Sequence, residues 1–307
     1  MTNARMRFPG RTLGAMLIGL TLIVATAGLS SAAPSGGGGG KGSLVVGSTN
    51  VAGDQVLGQV YGQALEADGY DISYKENLGT REVVFPALES GEIDVFPDYQ
   101  DTLAAFLQGT GGTDVNQVKS ELDGLLASRG IVATTPAPAV DVNGFYVTRK
   151  TARKYKLKNV SDLAPVAGEL VFGGPPECEE RDRCLGPQSQ QLYNLQFQEV
   201  KKLDVGGPVT VKALQDGDIQ VGILFTGSST IPKGAVLLKD DKQLQGADNV
   251  VVLVREDKNT PELDAAINKV SAKLTTKRYR TMVLAVQDDK EDPADVAEEF
   301  VKDNNLD

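Results

Sequence analysis

Apolar residues along this chain switch between two spacings, and the switching predicts strands and helices in turn. Leu44 to Gly47 is a short apolar run of strand type, after which Val56, Leu57, Val60, Tyr61, Ala64 and Leu65 recur at the intervals of one helical face. A strand near Ile72–Tyr74 follows, then a helix from about Thr80 that ends before Gly91, a strand at Ile93–Phe96, and helices at Thr102–Leu107 and Val115–Ser128. Beyond the segment Ala133–Asn143, a strand at Gly144–Thr148 opens a second region of strand and helix alternation. It continues through Leu170–Gly173, Gln188–Leu195, Val200–Leu203, Val209–Gln215 and Val221–Phe225. A strand at Val250–Val254 precedes three helical stretches between Pro261 and Asn304. Strands alternating with helices are the signature of an α/β fold.

A short internal echo bears on the architecture. Residues 87–95 read ALESGEIDV and residues 213–221 read ALQDGDIQV, so A-L-x-x-G-acid-I-x-V occurs twice. Each copy reads as a helix C-terminus, a Gly suited to the left-handed cap, and the entry into a buried strand. A generic helix-to-strand turn gives the same letters. The alternative is that two similarly built lobes each carry one copy.

The N-terminus must be set aside from the fold. Arg5, Arg7 and Arg11 precede an apolar stretch from Leu13 to about Ala27, and Ser30, Ser31, Ala32 and Ala33 offer a small-residue cleavage site. This predicts a signal peptide over residues 1–32, with an uncleaved anchor as the alternative. The apolar run is short for a membrane span. Residues 33–43, with five consecutive glycines, read as a flexible linker. Export to the periplasm or the outer face of the cell membrane is the expectation, and the leader holds no Cys to carry a lipid.

Composition narrows the class of function. Residues 33–307 carry 28 basic and 41 acidic side chains, a net charge of −13. Such a surface opposes binding to nucleic acid and to anionic membranes. The chain has no His, so the commonest general base and the commonest zinc ligand are missing. No G-x-S-x-G, P-loop, G-x-G-x-x-G or metal-ligand spacing appears, so neither a catalytic residue, a cofactor nor a metal is expected. A protein that binds without chemistry is the reading these absences favour; a monomer is expected.

Two cysteines, Cys178 and Cys184, lie in a Pro- and charge-rich segment. In an exported chain this even, closely spaced pair favours a disulfide, with free thiols as the alternative. Closing so short a loop would contribute about 2 kcal/mol.

Several segments together resemble the substrate-binding proteins of glycine betaine, choline and carnitine ABC importers. They are GSTN at 47–50, LGTREVVFPALESGEIDVFPDYQDT at 78–102, VDVNGFYVT at 140–148, VSDLAP at 160–165, FGGPPECEER at 172–181, ALQDGDIQVGILFT at 213–226 and ADNVVVLVRED at 247–257. The stretch 91–102 is similar to the family's G-E-I-D-x-Y-P-E-Y-T-G-T, with Phe96, Gln100 and Asp101 departing from it. The resemblance implies a two-lobed type II periplasmic-binding-protein fold with a ligand cleft between the lobes. Residues 44–142 plus 251–307 would form the first lobe and 143–250 the second, with the hinge near 142–145 and 247–251. It implies capture of a small quaternary amine or zwitterion by cleft closure, and delivery to an ABC importer permease subunit. A secreted α/β enzyme, or a sensory domain for a different small zwitterion, are the other readings.

Ligand chemistry suggests which residues would line the cleft. A trimethylammonium group has no hydrogen-bond donor and a diffuse charge, so aromatic faces hold it, each contact giving roughly 0.5–2 kcal/mol. Tyr99 and Tyr146 match aromatic positions of the family motifs, and Phe225 and Thr226 end a strand of the second lobe. Arg181 matches an Arg that, in the family, lies where a ligand carboxylate is gripped. Asn143 belongs to the same segment as Tyr146. Thr49, Asn50, Thr80 and Arg81 sit just after a strand or at a helix start, where hydroxyls and backbone N–H groups commonly meet ligands.

Overall fold

The computed structural model describes residues 40–226, 231–232 and 234–307. The signal-peptide reading of residues 1–32 and most of the Gly-rich stretch lie outside them. In chain order the first elements are β1 (Ser43–Gly47), α1 (Ala52–Ala67), β2 (Asp71–Lys75), α2 (Arg81–Ser90), β3 (Val95–Tyr99), α3 (Gln100–Phe106), α4 (Val115–Ala127) and β4 (Ile131–Ala133). There follow β5 (Asn143–Thr148), α5 (Arg149–Tyr155), β6 (Val171–Gly174), α6 (Pro187–Tyr193), β7 (Glu199–Lys202), α7 (Pro208–Asp216), β8 (Val221–Phe225) and β9 (Ala235–Leu237). The chain ends with β10 (Val250–Arg255), α8 (Pro261–Ser271), α9 (Thr276–Leu284) and α10 (Pro293–Asp303).

The strands form two five-stranded sheets of matching design, one in each lobe. The first has the order β2-β1-β3-β10-β4, with β1 parallel to β2 and β3, and β10 antiparallel to both β3 and β4. The second has the order β7-β6-β8-β5-β9, in which β6 is parallel to β7 and β8, and β5 is antiparallel to β8 and β9. Thus β3 and β8 hold the same place in their sheets. The repeated A-L-x-x-G-acid-I-x-V segment is the junction of α2 with β3 in one and of α7 with β8 in the other. Gly91 and Gly217 cap those helices at φ 78° and 84°, a left-handed conformation that a Cβ disfavours.

Burial explains why the helices settle where they do. Along α1, Val56, Leu57, Val60, Tyr61 and Leu65 are fully buried, so the stripe seen in the sequence is the face laid on the sheet. Strand β10 is apolar on both faces because helices cover both. Val250, Val252 and Val254 pack into the cluster built with α1, α8, α9 and α10, while Val251 and Leu253 pack into the cluster built with α2, α3 and α4. Burying each such side chain contributes about 1.5–3 kcal/mol. The second sheet has its own clusters, one including both cysteines. Cys178 and Cys184 are joined by a disulfide.

The chain passes between the sheets twice, through residues 134–142 and 238–249, and the two crossings pair with each other. The Ala137 N–H donates to the Val250 carbonyl at 2.8 Å, and the Val250 N–H donates to the Ala139 carbonyl at 3.0 Å. Val140 and Asn249 form an antiparallel bridge.

Three elements escape the apolar spacing. Helix α5, with the sequence RKTARKY, buries only Thr151 and is started by the Thr148 side chain, which accepts the Thr151 N–H. Strands β4 and β9 have three residues each, too few to display a period. Strand β3 begins two residues later than expected, because Gly91–Asp94 is still turning out of α2.

Candidate ligand-binding cleft

A cavity of about 580 Å³ lies between the lobes. From the first lobe it is lined by the loop after β1 and the start of α1, the start of α2, the junction of β3 with α3, and α9. From the second come the disulfide loop, the start of α6 and the end of β8. Loop and helix-start positions carry the site because the sheets beneath fix them while leaving polar groups at their ends unpaired by the ladders.

Two tyrosines and two aspartates form one hydrogen-bonded group there. Tyr99 ends β3 and Tyr279 comes from α9, with ring centroids 6.5 Å apart at an interplanar angle of 69°. Their hydroxyls meet at 2.6 Å. The Tyr99 hydroxyl donates to Asp54 at 2.9 Å and the Tyr279 hydroxyl reaches Asp141 at 3.4 Å. The Thr49 hydroxyl donates to the other oxygen of Asp54. Tyr279 needs room: a Cβ at Gly53 would stand 2.1 Å from its Oη, so α1 begins with glycine where the ring approaches. Burial pushes the Asp54 carboxyl up to about 6, and neighbouring Asp98 adds to this, against the pull of Thr49, Tyr99 and Arg81. Burial likewise raises both tyrosines well above the ordinary phenol range.

Each arginine of the cleft has a carboxylate partner. Arg81, at the start of α2, grips Asp98 through Nε at 2.8 Å and Nη2 at 2.6 Å, and Nη2 also donates to Thr102. Arg181 reaches across the cleft to Glu82, with Nη2 at 2.8 Å, and stands 3.3 Å from Glu177. Burial pushes the Glu82 carboxyl up, but Thr80 and Arg181 outweigh it and leave it below the usual range. Arg183 donates to Asp101 through Nε at 2.6 Å and Nη2 at 2.9 Å, both side chains being nearly inaccessible to solvent. Asp248 accepts the N–H groups of Asp101 and Thr102 at 2.9 Å each. Burial and the Asp101 charge push it up to about 8 despite the Thr102 amide.

The cleft gathers most of the candidates named from the sequence. Thr49, Asn50, Thr80, Arg81, Tyr99, Asn143, Arg181 and Phe225 all line it. Tyr146 does not. It is 4 % exposed and packs with Val211, Leu214, Ile219 and Leu224, because it points to the face of the second sheet covered by α7. Thr226 also lies off the lining, where its hydroxyl accepts the Val142 N–H at 3.1 Å and so ties β8 to the first crossing. The sequence reading passed over Asp54, Asp98, Asp141, Arg183, Asp248 and Tyr279, all of which line the cavity. Asp54 follows the GSTN segment by four residues and could have been found from it; nothing around Tyr279 marks it out.

Comparison with known proteins agrees with this architecture. Residues 42–303 match the family described as the substrate binding domain of ABC-type glycine betaine transport systems. The chain is 26% identical over 304 residues to the carnitine transport binding protein OpuCC of Listeria monocytogenes, covering 94% of this chain and 96% of that one. It is 26% identical over 268 residues to the glycine betaine-binding protein YehZ of Escherichia coli, covering 80% and 86%. A crystal structure described as a glycine betaine/carnitine/choline ABC transporter superposes with a TM-score of 0.66 at 22% identity, covering 86% of this chain and 98% of that one. Among the described residues no helix is long and apolar enough to cross a membrane. With a two-lobed fold, a cleft between the lobes and a family match over nearly its whole described length, the chain belongs to the substrate-binding domains of ABC-type glycine betaine transport systems.

Proposed function

We propose that this protein captures a small quaternary-ammonium solute in the cleft, outside the cytoplasm, and hands it to the permease of an ABC importer without transforming it. The observation that carries the reading is the Tyr99–Tyr279 pair standing beside Asp54 between two lobes. A quaternary ammonium has a diffuse charge and no N–H, so it is held by aromatic faces and a nearby negative charge rather than by directed hydrogen bonds. Phe225 would approach the same solute from the second lobe, and Asn143 and Thr49 would contact its polar end.

The lobes are taken as residues 44–142 with 251–307, and 143–250. Closure of one on the other, about the paired crossings near residues 142–145 and 247–251, would bury the solute and create the surface that a permease reads. Cys178–Cys184 would hold the second lobe's rim in shape while this happens.

A thermal-shift series with choline, glycine betaine, carnitine and unrelated amino acids tests the reading, since a ligand that binds the folded state raises Tm by mass action. Shifts confined to the quaternary amines, and abolished in Tyr99→Ala, are expected. Shifts with amino acids alone would replace the proposed solute by another.

A further inference from the structure

The charges around the cleft distinguish two kinds of quaternary ammonium, those with a carboxylate and those without. Every arginine that lines the cavity is already committed. Arg81 is held by Asp98 in a two-point contact, Arg183 is held the same way by Asp101, and Arg181 lies between Glu82 and Glu177. A ligand carboxylate entering this space would find, among the described residues, no guanidinium without a carboxylate partner, and to gain one it would have to break one of these pairs.

The opposite charge is in excess. Among the described residues, eight carboxylate side chains line the cavity against three arginines and no lysine. Even with Asp54 and Asp248 protonated, acids outnumber bases by two to one, so the excess does not depend on how those two titrate. Asp54 illustrates the point. It is held by the hydroxyls of Thr49 and Tyr99, and among the described residues no ion pair links it to a cationic side chain. Such a buried carboxylate is stabilised by any cation that enters beside it. A second anionic group on the same molecule would meet repulsion from the remaining acids of the walls, Glu180 and Asp182 among them.

We infer that the solute is a quaternary-ammonium monocation whose other end is neutral, such as an alcohol, and that the cleft discriminates against zwitterions carrying a carboxylate. This deepens the proposed capture function and rests on it. The neutral end would be met by hydroxyl and amide groups, of which the cleft offers Thr49, Thr102 and Asn143.

Choline and glycine betaine differ at one end only, a hydroxymethyl against a carboxylate, so titration calorimetry of the purified protein with each isolates this term. Choline is expected to bind at least about ten-fold more tightly. Equal affinities, or tighter binding of glycine betaine, would overturn the inference and leave quaternary-amine capture standing. No heat from either at millimolar concentration, with the protein folded, would remove both. Glu82→Gln, which loosens the hold on Arg181, should narrow the ratio in favour of glycine betaine, and an unchanged ratio would count against the inference. Asp54→Asn provides an independent arm: it should weaken choline more than glycine betaine, and an equal effect on both would also overturn it.

Discussion

The carboxylate of Asp101, on α3 of the first lobe, accepts two N–H groups from Arg183, in the disulfide loop of the second. The same carboxylate accepts the N–H of Gly112 at 2.8 Å and of Gly246 at 3.1 Å, and Arg183 also donates to the Thr110 carbonyl at 2.8 Å. A buried charge with this many partners is costly to orphan. Arg183→Met is expected to lower unfolding stability in urea by about 3–5 kcal/mol, and Asp101→Asn added to it should restore part of the loss. Additive losses in the two variants would show that the ion pair itself contributes nothing.

Glycine 246 is a separate test of how closely the chain passes that carboxylate. A Cβ there would lie 2.1 Å from Asp101 Oδ1 and 2.4 Å from the Gly112 carbonyl oxygen, with backbone on one side and a pinned side chain on the other. Gly246→Ala should therefore cost about 1–3 kcal/mol, the range of an overpacked site, although no apolar contact is lost. A thermal midpoint equal to that of the parent would show that the second crossing can shift.

The two copies of the repeated turn should respond unequally to the same substitution. At Gly217 an added Cβ meets open space, so Gly217→Ala should cost only the left-handed backbone term of roughly 1–2 kcal/mol. At Gly91 the Cβ would also stand 2.3 Å from an Arg255 nitrogen, and Arg255 pairs with Asp94. The guanidinium can swing aside, so Gly91→Ala should exceed Gly217→Ala only by the loss of the Arg255–Asp94 pair, about 0.2–1 kcal/mol in a chemical denaturation series.

The contrast between legible and illegible residues follows from how far apart the partners lie. The helix face of α1, the turn at Gly91 and the strand after it are local patterns; the first two sit where the sequence places them, and the strand is shifted by two to three residues, to Val95–Tyr99. Tyr146 is in a strand as expected, but which face of the sheet it takes depends on the covering helix α7, some sixty residues away, and it packs inward. Tyr279 lies 180 residues from the tyrosine it touches, so no local spacing announces it. Arg181 and Arg183 are two positions apart in one charged loop. Arg183 takes the buried carboxylate, because Asp101, which stands where the family motif has Gly, projects toward it.

The roles of ring and hydroxyl at Tyr99 can be separated. Tyr99→Ala removes the aromatic face and should weaken quaternary-amine binding by roughly ten-fold or more. Tyr99→Phe keeps the face but takes a donor from Asp54, so binding should fall less while the Asp54 carboxyl becomes harder to ionise. Calorimetric titrations of both variants decide this. Equal losses would mean that the hydroxyl, and not the ring, makes the contact.

Ligand affinity and folding stability should move in opposite directions with pH, and Asp54 is the reason. Its carboxyl rises from an ordinary 3.8 to about 6 in the folded protein, with Asp98, Tyr99 and Arg81 around it and the Asp141–Tyr279 pair behind. The folded state therefore holds the proton more firmly than the unfolded one. The stability this contributes is fully present below the unfolded value and is lost as pH climbs through about 6. Binding has the reverse sign, since a cation favours the ionised carboxylate and must displace the proton at lower pH. Through Asp54, affinity for a quaternary-ammonium cation should weaken by up to about ten-fold per unit below pH 6, while Asp248, pushed up to about 8, titrates above that range. The ligand-induced rise in Tm should accordingly widen between pH 5 and 7.5, and Asp54→Asn should flatten that widening. A rise independent of pH in the parent protein would place the bound charge away from Asp54.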